Sequence, residues 1–137
     1  MPFSHIGLSV QDAARSADFY AQIFGFEPGE RFDLGAGFER KADAPPLPSV
    51  CQFMKLGEVQ LALIQYPSPE SSPVPRPMHH LGIANMAFTV DAIEPLIERI
   101  EALGGRAHRE TLLEAAHGSF LHCSDPDGVR IELMCMK

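Results

Sequence analysis

The chain has 137 residues, 45% of them apolar, with 11 Lys and Arg against 18 Asp and Glu for a formal net charge of −7. That length suits one compact domain able to bury roughly two thirds of the surface its unfolded form exposes. The acidic balance and scattered basic residues exclude an electrostatic footprint for nucleic acid or anionic lipid. The opening Met1-Pro-Phe-Ser-His5 lacks the basic and apolar regions of a secretory signal, and no apolar run approaches the ~20 residues that span a bilayer, so the cytoplasm is the expected compartment. Cys51, Cys123 and Cys135 are odd in number and have no CxxC spacing, which points to small buried hydrophobes rather than a disulfide framework or zinc knuckle.

Phe3 to Val10 alternates polar or small residues with Ile6, Leu8 and Val10, the period of a half-buried strand. Asp12 predicts a helix N-cap. The stretch from Ala13 to Phe24 places Ala13, Ala17, Tyr20 and Phe24 on one face with Phe19 and Ile23 flanking it, and Gly25 supplies the stop. The region from Glu27 to Ser49 is weakly patterned, with Arg31 to Leu34 a short strand and Ala44 to Pro48 a loop. Val50 to Lys55 and Val59 to Tyr66 predict two strands joined by a tight turn near Leu56-Gly-Glu58. Pro67 to Pro77 holds too many prolines for a central strand or helix interior and reads as a linker.

The second half repeats the plan. A strand over Ala84 to Val90 precedes a helix from about Glu94, with Pro95 suited to its first turn and Gly104-Gly105 ending it. A strand near Arg106 to Arg109, another over Gly118 to Cys123 and a last one over Val129 to Met136 follow, the last two joined by the turn signal Asp125-Pro-Asp-Gly128. Each half is thus strand, helix, then about three strands.

The two halves also match in detail. His5-Ile-Gly-Leu-Ser-Val10 reappears as Asn85-Met-Ala-Phe-Thr-Val90, and Gln60-Leu-Ala-Leu-Ile-Gln65 as Arg130-Ile-Glu-Leu-Met-Cys135. An offset of 80 residues relates His5 to Asn85 and Gly25 to Gly105, and one of 70 relates Ala62 to Glu132. A duplicated unit with a shorter loop in its second copy accounts for both. The organisation is one domain over 1–137, with module one about 1–66, a linker about 67–80 and module two about 81–137.

If Ile6, Leu8 and Val10 face a helix, the opposite strand face carries His5, Gly7 and Ser9. By the same alternation Gln60, Ala62 and Ile64, then Asn85, Ala87 and Thr89, then Arg130, Glu132 and Met134 share such a face. Small and polar side chains among apolar walls suit a concave small-molecule site better than a solid core. Ser9, Gln60, Asn85, Thr89, Arg130 and Met134 are the candidate substrate contacts. His5 and Glu132 form a candidate acid/base pair; in the alternative, Glu132 orients His5 or pairs with Arg130. His108, His117 and His122 are dispersed and read as surface or core residues. Phe53, Met54, Phe120, Met134 and Met136 read as packing, with an adaptable apolar pocket lining as the alternative, and Glu94, Glu98 and Glu101 as a solvated helix face.

His5-Ile-Gly-Leu-Ser-Val-Gln-Asp12, Phe19-Tyr20, Phe24-Gly-Phe26, Asn85 to Asp91 and Asp125-Pro-Asp-Gly-Val-Arg-Ile-Glu-Leu133 together resemble the glyoxalase/bleomycin-resistance/extradiol-dioxygenase superfamily, the vicinal oxygen chelate proteins. The resemblance spans nearly the whole chain. It implies an α+β fold of two βαβββ modules whose sheets form an open curled barrel around a cavity, and in catalytic members a divalent metal such as Zn, Ni, Mn or Fe. The implied ligand positions fall on His5, Ala62, Asn85 and Glu132, of which only His5 and Glu132 match. The metal set is incomplete, and a cavity without tightly bound metal is the expectation. The resemblance implies a glyoxalase-like lyase or isomerase acting on a small organic molecule by proton transfer. A metal-free binding or resistance protein is the alternative, and a ring-cleaving dioxygenase is disfavoured because position 85 lacks the second His. Exposed sheet edges and the same analogy lead to the expectation of a homodimer.

Overall fold

The computed structural model describes residues 1–35, 37, 48–67 and 77–137. It has an α+β architecture built from two compact units, Met1–Ser71 and Ser72–Lys137, each with one open sheet and one helix. Ala44 to Leu47 of the first predicted loop and residues 68–76 of the predicted linker lie outside the described residues.

Module one runs β1 (Ile6–Val10), α1 (Ala13–Phe24), β2 (Glu27–Leu34), β3 (Ser49–Leu56) and β4 (Val59–Gln65). Its sheet has the order β1-β4-β3-β2, with β1 parallel to β4 and the other neighbours antiparallel. Local chemistry sets the helix ends. Asp12 is extended, and its Oδ1 accepts the Arg15 N–H at 3.0 Å. Gln65 at the end of β4 accepts the Ala13 N–H at 2.9 Å, so the first turn is tied to the sheet it covers. Gly25 closes the helix at φ 76°, its N–H bonded to the Ala21 carbonyl, a left-handed conformation that costs a residue with a Cβ free energy.

The buried face of α1 is Ala13, Ser16, Phe19, Tyr20 and Ile23. The expected stripe through Ala17 and Phe24 is therefore rotated. The rotation buries Phe19 and Ile23 together with Ser16 on the side of the helix that packs on β3 and β4. β2 is also longer than expected. As an edge strand it tolerates Pro28, because its register slips between Pro28 and Arg31, and the buried Gln52 amide donates to the Gly29 carbonyl at 3.1 Å at that slip.

Module two runs β5 (Met86–Thr89), α2 (Glu94–Ala102), β6 (Arg106–Ala107), a 3-10 turn (Arg109–Thr111), β7 (Leu113–Ala115), β8 (Gly118–Ser124) and β9 (Arg130–Met136). The order is β5-β9-β8-β6, with β7 also pairing β8 and β5 parallel to β9. Ile93, Leu96, Ile97 and Ile100 of the helix region are buried, as are Leu121, Cys123, Ile131 and Leu133 of the sheet. The Asp125–Gly128 turn forms as expected. The buried Asp125 carboxylate accepts the N–H groups of Asp127 at 2.9 Å and Val129 at 2.8 Å, and Gly128 takes φ 88°.

Two features of this module differ from the sequence expectation. The strand near Arg106 to Arg109 ends after two residues, and β7 is an additional strand. Thr111 explains the break: its hydroxyl accepts the His122 N–H at 2.9 Å and donates to the His108 carbonyl at 2.7 Å. A side chain has replaced a ladder bond, and the backbone is free to turn.

Cys51 and Cys123 are buried, while Cys135 is half-buried with Sγ 3.2 Å from the Asp91 carbonyl. Burial pushes the Cys51 thiol up. Burial and then the neighbouring Asp125 charge push Cys123 up to about 12, so it stays protonated and inert at neutral pH. Among the described residues no helix is long and apolar enough to cross a membrane.

Candidate functional site

Each sheet has a face covered by its own helix and a face turned the other way. On β1, Leu8 and Val10 are buried while Gly7 and Ser9 are exposed; on β9, Ile131 and Leu133 are buried while Arg130, Glu132 and Met134 are half-buried. The register makes the repeat geometric. Gly7 stands opposite Ala62, and Ala87 opposite Glu132, so the offsets of 80 and 70 residues relate equivalent pairs on equivalent strands.

On module one, His5 is exposed just before β1, and Ser9 and Gln60 lie on strands of the same sheet. The His5 ring meets Phe53 edge-on, with centroids 5.3 Å apart, and Phe53 lies 5.8 Å from Phe32. His5 Nδ1 is 2.9 Å from the Ser4 hydroxyl. Ala62, opposite Phe53 in the register, is buried and brings no donor. This face is an aromatic surface with one imidazole at its edge.

On module two, the structure brings Asn85, Thr89, Arg130, Glu132 and Met134 onto two adjacent strands and their approach. Glu132 has 29% of its side chain exposed. The Asn85 amide donates to its Oε2 at 3.4 Å, and His122 Nε2 lies 3.9 Å from its Oε1. The first is a long hydrogen bond and the second an ion-pair contact whenever the imidazole is protonated.

His122 is the residue that reading single strands overlooks. The signal for it is the Asp125–Gly128 turn, which pairs Ser124 with Arg130 and therefore His122 with Glu132. Counting back from a recognisable hairpin turn places an imidazole beside the carboxylate.

Two pockets flank this cluster. One of about 210 Å³ lies between the approach to β5 and the 125–128 turn and includes Asn85, Val129 and Arg130. The other, of about 320 Å³, is walled by Arg106, His108, Thr111, His122, Ser124 and Arg130. Each neighbour of the Glu132 carboxylate lines one pocket, and Arg130 lines both.

Of the four positions that the family resemblance implies as metal ligands, His5, Ala62, Asn85 and Glu132, two carry other side chains. Ala62 has no lone pair to offer, and the Asn85 amide nitrogen is turned to Glu132. Among the described residues no three His, Cys, Asp or Glu side chains converge, fewer than the three or more protein ligands such an ion ordinarily takes.

Residues 3–133 match the model of the Glyoxalase/Bleomycin resistance protein/Dioxygenase superfamily, and the chain belongs to that superfamily. Its fold is that of solved members. A glyoxalase family protein from Bacillus cereus is similar with a TM-score of 0.79 at 17% identity, covering 98% of this chain and 93% of that one. A glyoxylase/bleomycin resistance protein/dioxygenase domain from Frankia sp. EAN1pec gives 0.70 at 18%, covering 100% and 98%. The fosfomycin resistance protein FosX from Listeria monocytogenes gives 0.67 at 21%, covering 100% and 92%. A mutant of FosX has been crystallised with Mn(II) and 1S,2S-dihydroxypropylphosphonic acid. Comparison with curated protein sequences finds no match.

Proposed function

We propose that this chain is a glyoxalase-like lyase or isomerase that moves a proton on a small organic molecule, with Glu132 as the transferring group and without a tightly bound metal. The observation that carries this reading is the Glu132 carboxylate, half-exposed beside two pockets and held by Asn85 on one oxygen and faced by His122 on the other. His122 stands at 3.9 Å, beyond hydrogen-bond distance, so Oε1 keeps a lone pair for a substrate proton. His5 is the proposed second member of the acid/base pair. Ser9, Gln60, Asn85, Thr89, Arg130 and Met134 are the proposed substrate contacts. The comparison of wild type with Glu132→Gln tests the reading, and its expected result opens the Discussion.

Metal addition is an independent check. An ion held with a dissociation constant one hundredth of its free concentration adds about 2.7 kcal/mol of stability, which raises the melting temperature of a domain this size by several degrees. With Ala62 and Asn85 where ligands would stand, added Zn²⁺, Ni²⁺, Mn²⁺ or Fe²⁺ moves the melting temperature by less than ~1 °C. A rise of several degrees with one of them contradicts the metal-free site.

A second reading, a binding or sequestration protein, is favoured by the His5–Phe53–Phe32 surface. Such rings hold a flat ligand without chemistry, and turnover separates the two readings. We place the protein in the cytoplasm and read it as a homodimer, because each module's sheet ends on edge strands that a second copy can cover. Sedimentation at micromolar concentration gives twice the chain mass of 15.0 kDa. A single species at the monomer mass rejects the dimer.

A further inference from the structure

Among the described residues, cationic side chains gather on the part of the module-two sheet that borders Glu132. The register places Arg106 opposite Ser124 and Ser124 opposite Arg130, giving a row of guanidinium, hydroxyl and guanidinium across β6, β8 and β9. All three lie on the face away from α2, since Ala107, Cys123 and Ile131 between them are buried. The next row holds His108, His122 and Glu132, with the His108 N–H bonded to the His122 carbonyl at 2.9 Å and His122 opposite Glu132. Thr111 bonds to both backbones and lines the 320 Å³ pocket.

Charge there runs against that of the chain. The lining of the 320 Å³ pocket holds two arginines and one carboxylate, Glu110, whose Oε1 is 3.7 Å from His108 Nδ1 and so is turned to that imidazole. Arg106 has no ion-pair partner among the described residues. Arginine presents its N–H groups as a planar fork that matches paired oxygens, and two forks about two strand spacings apart, ~10 Å at their backbones, leave room for one small anion over the Ser124 hydroxyl.

We propose that this pocket is an oxyanion subsite, and that the small molecule handled beside Glu132 carries an acidic group, a carboxylate, phosphonate or phosphate, that Arg106 and Arg130 grip. The substrate class rests on the proton-transfer reading, whereas anion binding itself does not require Glu132. With the anion in this pocket, the remainder of the molecule extends past His122 to the adjacent Glu132. Arg130 lines both pockets and so holds the substrate where the two meet.

Backbone amide NMR on the full chain, titrated separately with inorganic phosphate, methylphosphonate and acetate, tests the subsite. The expected result is saturable shifts at Arg106, His108, Ser124 and Arg130. Arg106→Ala and Arg130→Ala, both at solvent-accessible positions, each weaken binding about tenfold or more, as loss of a charge-assisted contact predicts. Arg106→Lys and Arg130→Lys restore part of it. Arg109→Ala, whose guanidinium pairs with Glu101 at 2.9 Å outside the pocket, changes nothing. Tighter binding of methylphosphonate than acetate assigns a tetrahedral group, and the reverse a planar carboxylate.

The subsite is overturned if none of the three anions gives saturable shifts at these residues, or if both alanine variants bind as wild type does. Anion binding retained while Glu132→Gln turns over normally removes the proton-transfer reading and leaves the subsite. No anion binding in wild type together with lost turnover in Glu132→Gln removes the subsite alone.

Discussion

Glu132→Gln lowers turnover by about 10²–10⁴-fold, the range that a positioned general acid or base contributes. Gln is nearly isosteric and still offers an oxygen to the Asn85 amide, so the contact at 3.4 Å has a successor. What is lost is the basic oxygen facing His122. Because Glu132 is half-exposed, its replacement leaves the core of Leu121, Ile131 and Leu133 intact, and the melting temperature stays close to that of wild type. Ligand affinity survives within a few fold, so the deficit falls on kcat and not on binding. Equal turnover by wild type and variant rejects Glu132 as the transferring group. A protein that binds ligands and turns none over is the sequestration protein of the second reading.

Phe19→Ala destabilises the chain by about 3–5 kcal/mol, the range for truncating a buried aromatic. Phe19 is fully buried, with Tyr20 at 5.4 Å and Phe24 at 6.1 Å between ring centroids. Its removal leaves a void under α1, which packs on β3 and β4, and a densely packed interior closes such a void only in part. Against a total stability of order 5–15 kcal/mol the loss is severe, and urea titration reads it as a lower midpoint. Phe24→Ala costs less, since Phe24 is only half-buried. The comparison tests the rotation of α1 directly: a stripe through Ala17 and Phe24 makes Phe24 the costlier loss, and that order of the two midpoints contradicts the packing described here.

Features set by a few neighbouring residues were legible in the sequence. Asp12 caps α1, Gly25 ends it, Gly57 turns β3 into β4 at φ 56°, and Asp125 to Gly128 forms its turn, because each depends on one side chain or one backbone angle. The duplication was legible through spacing, and the registers of Gly7 with Ala62 and Ala87 with Glu132 give it physical form. Features set by tertiary packing were not. The rotation of α1 depends on how Phe19 and Ile23 fill the sheet surface. The short β6 depends on Thr111 bonding across to His122, and the length of β2 on Gln52 satisfying a carbonyl at a register slip. Such contacts join residues far apart in the chain, and periodicity holds no trace of them.

The candidate site divides in the same way. Alternation placed Asn85, Arg130 and Glu132 on one face, as the burial of Ile131 and Leu133 requires. The neighbours of the carboxylate were not apparent strand by strand, since His122 reaches Glu132 only through the pairing of β8 with β9. The same pairing aligns Arg106, Ser124 and Arg130, three residues that look scattered along the chain. The repeat thus locates two equivalent strand pairs with different side chains, an aromatic surface beside His5 in one module and a carboxylate beside His122 in the other.

The most direct test of proton transfer at Glu132 is proton NMR in D₂O with a set of small carboxylates and phosphonates that carry an acidic C–H, comparing wild type with Glu132→Gln. The account predicts that wild type incorporates solvent deuterium into at least one compound or converts it, and that the variant binds the same compound with turnover reduced about 10²-fold or more. Exchange or conversion at equal rates in both proteins, or binding by wild type with no exchange in any compound, contradicts it.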